Sequence, residues 1–362
     1  MTRSTITRRF TAAATLSTII ILCLSFAPVQ AKSFLGIFQA AWSPDGTQIL
    51  FDYQDMRNDQ ISKFAIYTLD VTADTLTPVE LLDQASSPAW SPDGRQIAFS
   101  QANEEGIYVM NTDGSGEHVK LSRIGYTPKW SPDGKQLTFQ YGNSIYLVNA
   151  DGSEAHQLVG SKLKSVWNSF WSPNGQFLTL VAQGKTENDT EIYRVDLDGE
   201  NLAKVADSSY QGYELSISPD GSQLAVISQC DGHFGLCLMD ASDGSNPHFL
   251  SNNALTPVWS PDGSQLAYIW NAGVCIMSQA DLTGDVKVTV KDHTCITKGG
   301  NDSRPIWSPD GSQLIFFRAV RPDTAEPDEY FFESQAYIIN ADGSNLRQIP
   351  APVLNNGETV SK

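Results

Sequence analysis

Positive charge is scarce in this chain of 362 residues: 24 Lys and Arg stand against 41 Asp and Glu, a net charge of −17. Such a balance repels a phosphate backbone and excludes nucleic acid as a natural partner. Histidine and cysteine number five each. His118, His156 and His248 each follow an Asp-Gly turn by the same offset in different parts of the chain, and His233 and His293 lie in loops, so no set converges on one metal. There is no Gly-x-Ser-x-Gly elbow for a hydrolase nucleophile and no glycine loop opening a helix for phosphate. No helical hydrophobic period of useful length is present either. The one long apolar stretch lies at the start.

That stretch reads as an export signal. Arg3, Arg8 and Arg9 form a basic head, residues 10–26 are largely apolar, and Val29 and Ala31 supply small residues before a cut. Thr11, Thr15, Ser17 and Thr18 dilute the segment below what a membrane anchor needs. Cleavage after Ala31 removes three arginines and no acid, taking the net charge from −17 to −20. The expected product runs from 32 to 362, is periplasmic or extracellular, and keeps no stable membrane span. Its last residues, 351–362, read as a C-terminal tail.

What is abundant is a repeat. Trp-Ser-Pro-Asp-Gly or a near copy occurs seven times, with its proline at Pro44, Pro92, Pro132, Pro173, Pro219, Pro261 and Pro309, spaced by 40 to 48 residues. Most copies are followed by a short β pattern (QILF at 48–51, QIAF at 96–99, QLTF at 136–139), then a second one (IYTLD at 66–70, IYVMN at 107–111, IYLVN at 145–149), a turn, and a brief fourth strand. Four short antiparallel strands per repeat, seven times, predict an all-β fold: a seven-bladed β-propeller over residues 32–350. In each turn proline presets φ, aspartate suits the next position, and glycine takes the left-handed conformation that closes the hairpin. The tryptophans before the serines can fill the wedge between neighbouring blades. Ile217 replaces tryptophan in the fifth repeat, which predicts the least well packed junction there.

The repeat resembles the TolB-type propeller repeat, a WD-like unit of exported bacterial proteins, over residues 36–350. TolB itself carries an N-terminal α/β domain before six blades, whereas here the first repeat follows the expected cleavage site directly, so a Tol-Pal role does not carry over from the resemblance. Every repeat runs in the same phase, so ring closure is expected to rest on packing between the first and last blades, unless residues 34–36 add a short edge strand.

Four cysteines remain after processing: Cys230, Cys237, Cys275 and Cys295. An even number in an exported chain points to disulfides, with three possible pairings. Pairing within blades, Cys230 with Cys237 and Cys275 with Cys295, is expected. A Cys237–Cys275 bridge between blades is the rival, since both replace the strand tyrosine. Zinc lacks its close Cys-x-x-Cys pairs. The acidic turns at 149–152 and 196–199 lack the spaced ligands and terminal glutamate of a calcium loop. No metal and no cofactor is expected.

The candidate site comes from position. Three residues before each Trp site stand Gln39, Ser87, Thr127, Asn168, Glu214, Thr256 and Arg304, all polar, and just before them Phe38, Tyr126, Trp167 and Tyr213. In a propeller these gather at the channel mouth, where aromatics around a polar ring can anchor a protein, peptide or envelope polymer. The competing reading packs the rings between blades. One acid and no histidine in the ring speak against acid–base catalysis there. The expectation is therefore a non-enzymatic binding or scaffold protein. The alternatives are a polysaccharide lyase or glycosidase using the loop acids Asp55, Asp59, Asp323, Glu326 and Asp328, and a structural subunit of an envelope complex.

Overall fold

A computed structural model describes residues 33–57, 60–101, 105–184, 189–208, 215–278, 282, 293–321 and 331–352. The expected signal peptide, most of the C-terminal tail, Asp59, Tyr213, Glu214, Asp323, Glu326 and Asp328 lie outside them. The fold belongs to the compact unit Lys32–Lys362.

Each Ser-Pro-Asp-Gly segment makes the same turn, as the first copy illustrates. Gly46 N–H donates to Ser43 O at 2.9 Å, and the next strand begins with Ser43 N–H on Gln48 O at 2.8 Å. The Ser43 hydroxyl donates to Asp45 Oδ1 at 2.6 Å and accepts from Gln48 N–H, while Thr47 N–H caps the same carboxylate. These bonds, led by the one from Ser43, hold the Asp45 carboxyl below its ordinary range. Gly46 has φ +72°, a conformation costly for any side chain.

The turns also touch one another. A methyl group added to Gly94 would lie 3.6 Å from Pro44 Cδ, one at Gly134 would meet Pro92, and so on through Gly175, Gly221, Gly263 and Gly311 to Gly46, which faces Pro309. The last link returns to the first turn and closes a ring.

Each repeat folds into four antiparallel strands. Five such units are separate four-stranded sheets, and the first and last share an eight-stranded one. At four of the junctions the first strands of neighbouring units contact one another, and the fourth strands carry much of the exposed surface, so the first strands line the axis. In four repeats a phenylalanine of the second strand stacks on the tyrosine directly opposite it: Phe51 on Tyr67, Phe99 on Tyr108, Phe139 on Tyr146 and Phe316 on Tyr337. In the fifth and sixth repeats Cys237 and Cys275 stand opposite Val226 and Tyr268 instead. There the disulfides Cys230–Cys237 and Cys275–Cys295 staple the sheets, the pairing within blades.

The seam between the last and first repeats is built by an edge strand. Residues 33–36 pair in parallel with 331–334 of the seventh repeat, while 34–36 also pair antiparallel with 54–56 of the first. Closure therefore uses backbone hydrogen bonds as well as packing.

The tryptophans bridge the repeats. Five indole N–H groups donate to the carbonyl one residue before the Trp site of the preceding repeat: Trp42 to Ile306 O, Trp90 to Ala41 O, Trp130 to Ala89 O, Trp171 to Lys129 O and Trp307 to Val258 O, at 3.1 to 3.3 Å. Ile217 has no N–H to give. The series also fails at the next junction, where buried Trp259 Nε1 finds no acceptor, and Ser216 Oγ instead takes the Trp259 backbone N–H at 3.0 Å. The departure at the fifth repeat thus breaks the hydrogen-bond series on both sides, although Trp259 itself remains buried in the core. Trp307→Phe is therefore expected to destabilise by about 1 kcal/mol more than Trp259→Phe, since only the former orphans a carbonyl. Urea melts of the two variants against the parent check this, and equal losses would contradict it.

Candidate functional site

Between the Pro-Trp ends of the first strands lies a cavity of about 260 Å³ lined by Phe38, Gln39, Thr127, Lys129, Arg304 and Phe317, with Pro88, Pro128 and Ile306 completing its wall. It draws on the first, second, third and seventh repeats, and so sits at the axis. Backbone geometry opens it. Ser87, Thr127, Thr256 and Arg304 have φ near +50°, and in each of these first strands the pairing register shifts at this point. All four precede a proline, and their counterparts Gln39 and Asn168, which do not, keep negative φ. Such bulges turn backbone N–H groups out of the ladder.

Asp52 collects two of those groups. It follows Phe51 on a second strand, is 2% exposed, and accepts Gln39 N–H at 2.8 Å and Ser87 N–H at 3.3 Å. Burial pushes its carboxyl up, against the pull of those donors and of the Arg304 charge. Ser100 Oγ plays the same part for Thr127 N–H at 3.2 Å.

Lys129 supplies the cavity's second cation. Its ammonium donates to Asn168 Oδ1 and Ser169 O, both at 2.6 Å, and lies 4.7 Å from the centre of the Phe170 ring. Both acceptors are neutral. Burial brings its pKa down to about 8. Arg304 lies over Phe317, its guanidinium carbon 4.5 Å from the ring centre. Neither cation makes an ion pair among the described residues.

The structure brings Phe38, Gln39, Thr127 and Arg304 to one cavity, with Asn168 joined to it through Lys129. Tyr126 stands beside it, its hydroxyl on Gly142 O at 3.3 Å. Trp167 packs instead against the core of Val181, Ile192 and Val226, because the register shifts between Val166 and Asn168. Asp55 is wholly buried. Lys129 and Asp52 were absent from the sequence reading. Their signal was departure from the repeat: Lys129 stands where other copies have Ala41, Ala89, Val258 and Ile306, and Asp52 where others have Ile227, Ile269 or Phe317.

The family profile described as TolB beta propeller domain matches residues 29–185 and 119–359. The chain belongs to that family. A curated relative, the Tol-Pal system protein TolB of Methylobacillus flagellatus, is 38% identical over 69 residues, 18% of this chain and 16% of the relative, so the matched stretch spans about a sixth of the relative's length. Among solved structures, Kuenenia stuttgartiensis hydrazine synthase superposes with a TM-score of 0.56 at 16% identity, covering 91% of this TolB-type chain and 99% of the other. Pyrococcus horikoshii acylaminoacyl peptidase gives 0.57 at 12% identity, over 88% of this chain and 53% of that one. At such identities these two speak for the fold alone. The disulfides fit an oxidising compartment, and no helix among the described residues is long and apolar enough to cross a membrane.

Proposed function

We propose that this TolB-type propeller is an exported, non-enzymatic binding or scaffold protein, seven-bladed over residues 32–350, that engages a protein or peptide of the cell envelope at its channel mouth. The observation that carries this reading is the axial cavity, where Phe38 and Phe317 stand beside two cations that have no ion-pair partner among the described residues. At about 260 Å³ it falls below the size usual for small-molecule sites and suits one or two side chains of a larger partner. The peptidase neighbour supports no hydrolase reading here, since the Gly-x-Ser-x-Gly elbow is missing from this sequence.

The test is affinity capture from envelope extracts with residues 32–362, parent against Phe38→Ala, both shown folded by circular dichroism. A protein enriched by the parent and at least tenfold less by the variant is the expected result. Equal capture would move the site away from the mouth. Metal-dependent turnover of an acidic polysaccharide would replace the binding reading with the lyase one.

A further inference from the structure

The charge of the cavity is opposite to that of the molecule. The chain carries a net charge of −17. At the axis Lys129 and Arg304 line the cavity, and Asp52, the one acid beside them among the described residues, is buried with its oxygens on the Gln39 and Ser87 N–H groups. A partly buried ammonium held by neutral acceptors among the described residues costs stability, because its lost hydration is incompletely repaid. An ammonium has three protons, and the bonds to Asn168 and Ser169 use two. Arg304 lies over Phe317 with its guanidinium carbon 4.5 Å from the ring centre. The pair forms a recess that one carboxylate completes, with the Phe38 and Phe317 rings beside it for an apolar side chain.

Charge also limits what can reach this recess. Polyanions are repelled by the surrounding acidic surface, whereas a single carboxylate on an otherwise neutral or basic peptide is not. We propose that the mouth binds an extended peptide by its C-terminal carboxylate, held between Lys129 Nζ and the Arg304 guanidinium, with the last apolar side chain against Phe38 and Phe317. This rests on the mouth being the binding site.

The probes are N-terminally fluorescein-labelled pentapeptides, neutral or singly basic and ending in leucine or phenylalanine, read by fluorescence anisotropy against residues 32–362. Three forms are compared: free acid, C-terminal amide, and amide with one internal glutamate. The free acid is expected to bind about tenfold or more tighter than the amide. Lys129→Met and Arg304→Gln should each remove most of that advantage. Two variants from different repeats guard against one failing to fold. The pH profile gives a second readout. Buried Asp52 is occupied by backbone donors, so affinity for the free acid should hold from about pH 5, where the peptide carboxylate is ionised, to about pH 8, and fall above it as Lys129 loses its proton.

Tight binding by the glutamate-bearing amide alone would overturn the chain-terminus assignment and make the carboxylate a side chain. Equal binding of acid and amide, abolished by Phe38→Ala, would overturn the carboxylate and leave the mouth as the site. Binding by no form, or binding indifferent to all three variants, would overturn both.

Discussion

Asp302→Ala should lower the free energy of unfolding by about 3 kcal/mol, among the largest losses of any single substitution outside the hydrophobic core. The Asp302 side chain is fully buried and takes Arg318 in a two-pronged grip, Nε on Oδ1 at 2.6 Å and Nη2 on Oδ2 at 3.0 Å. Thr297 Oγ1 donates to the same Oδ2 at 2.6 Å and itself accepts Val274 N–H at 2.8 Å. The network runs from the third strand of the sixth repeat to the first two strands of the seventh, so it ties two blades. Alanine leaves the Arg318 guanidinium, stacked near Phe316 and Tyr337, without its counter-charge. That side chain is 21% exposed and can turn partly to water, which places the loss at the lower end of the range for a broken buried pair. Asp302→Asn keeps one acceptor oxygen for Thr297 and should lose less. Adding Arg318→Met to Asp302→Ala should restore part of the stability, because the stranded charge goes with it. Urea melts of these three variants and of Arg318→Met alone decide it, and additive single and double losses would show that the pair is not coupled.

Much of the fold could be read from repetition, because the turn chemistry depends only on neighbouring residues. Ser43, Pro44, Asp45 and Gly46 form one self-contained hydrogen-bonded unit, and its sevenfold recurrence specifies where every first strand ends and every second strand begins. The tryptophans followed the same logic, and the break at Ile217 extended one junction further than expected only because Trp259 depends on the preceding repeat for its acceptor. The disulfides sit where the aromatic cross-strand pair is missing, a substitution visible in the sequence as Cys237 and Cys275 at the tyrosine position.

The cavity was only partly legible, for the opposite reason. Repetition makes a scaffold uniform, and a site arises where copies differ. Position grouped Phe38, Gln39 and Arg304, which line one cavity, but which way each side chain turns depends on bulges that shift the register. At Val166 and Asn168 that shift sends Trp167 into the core. At Ser87, Thr127 and Arg304 it opens the space that Lys129 enters. The proline after each left-handed residue is the sequence mark of the bulge, and a lysine directly before a wedge tryptophan is the mark of the site.

Gly36→Val should unfasten the ring at its seam. Gly36 has φ +135°, and a Cβ built there would fall 2.1 Å from Ser334 O, inside the backbone of the seventh repeat. No rotamer relieves a clash with a carbonyl, so the valine forces residues 33–36 off their partners 331–334. The loss includes the Ser334 hydroxyl's bond to Ile37 O at 2.7 Å and the alignment of the first strand with 54–56. The expected cost is about 3 kcal/mol or more, from the excluded backbone conformation and the broken pairing together. Its character should differ from that of Asp302→Ala. In a closed ring every repeat has two neighbours, and opening one seam leaves two terminal repeats with one neighbour each, so unfolding can start from those ends. Hydrogen exchange should therefore quicken first at 33–37 and 331–336 and then in the rest of the first and seventh repeats, while amides of the third to fifth repeats keep their protection. Uniform loss of protection across all repeats would show that the seam is not where the ring begins to open.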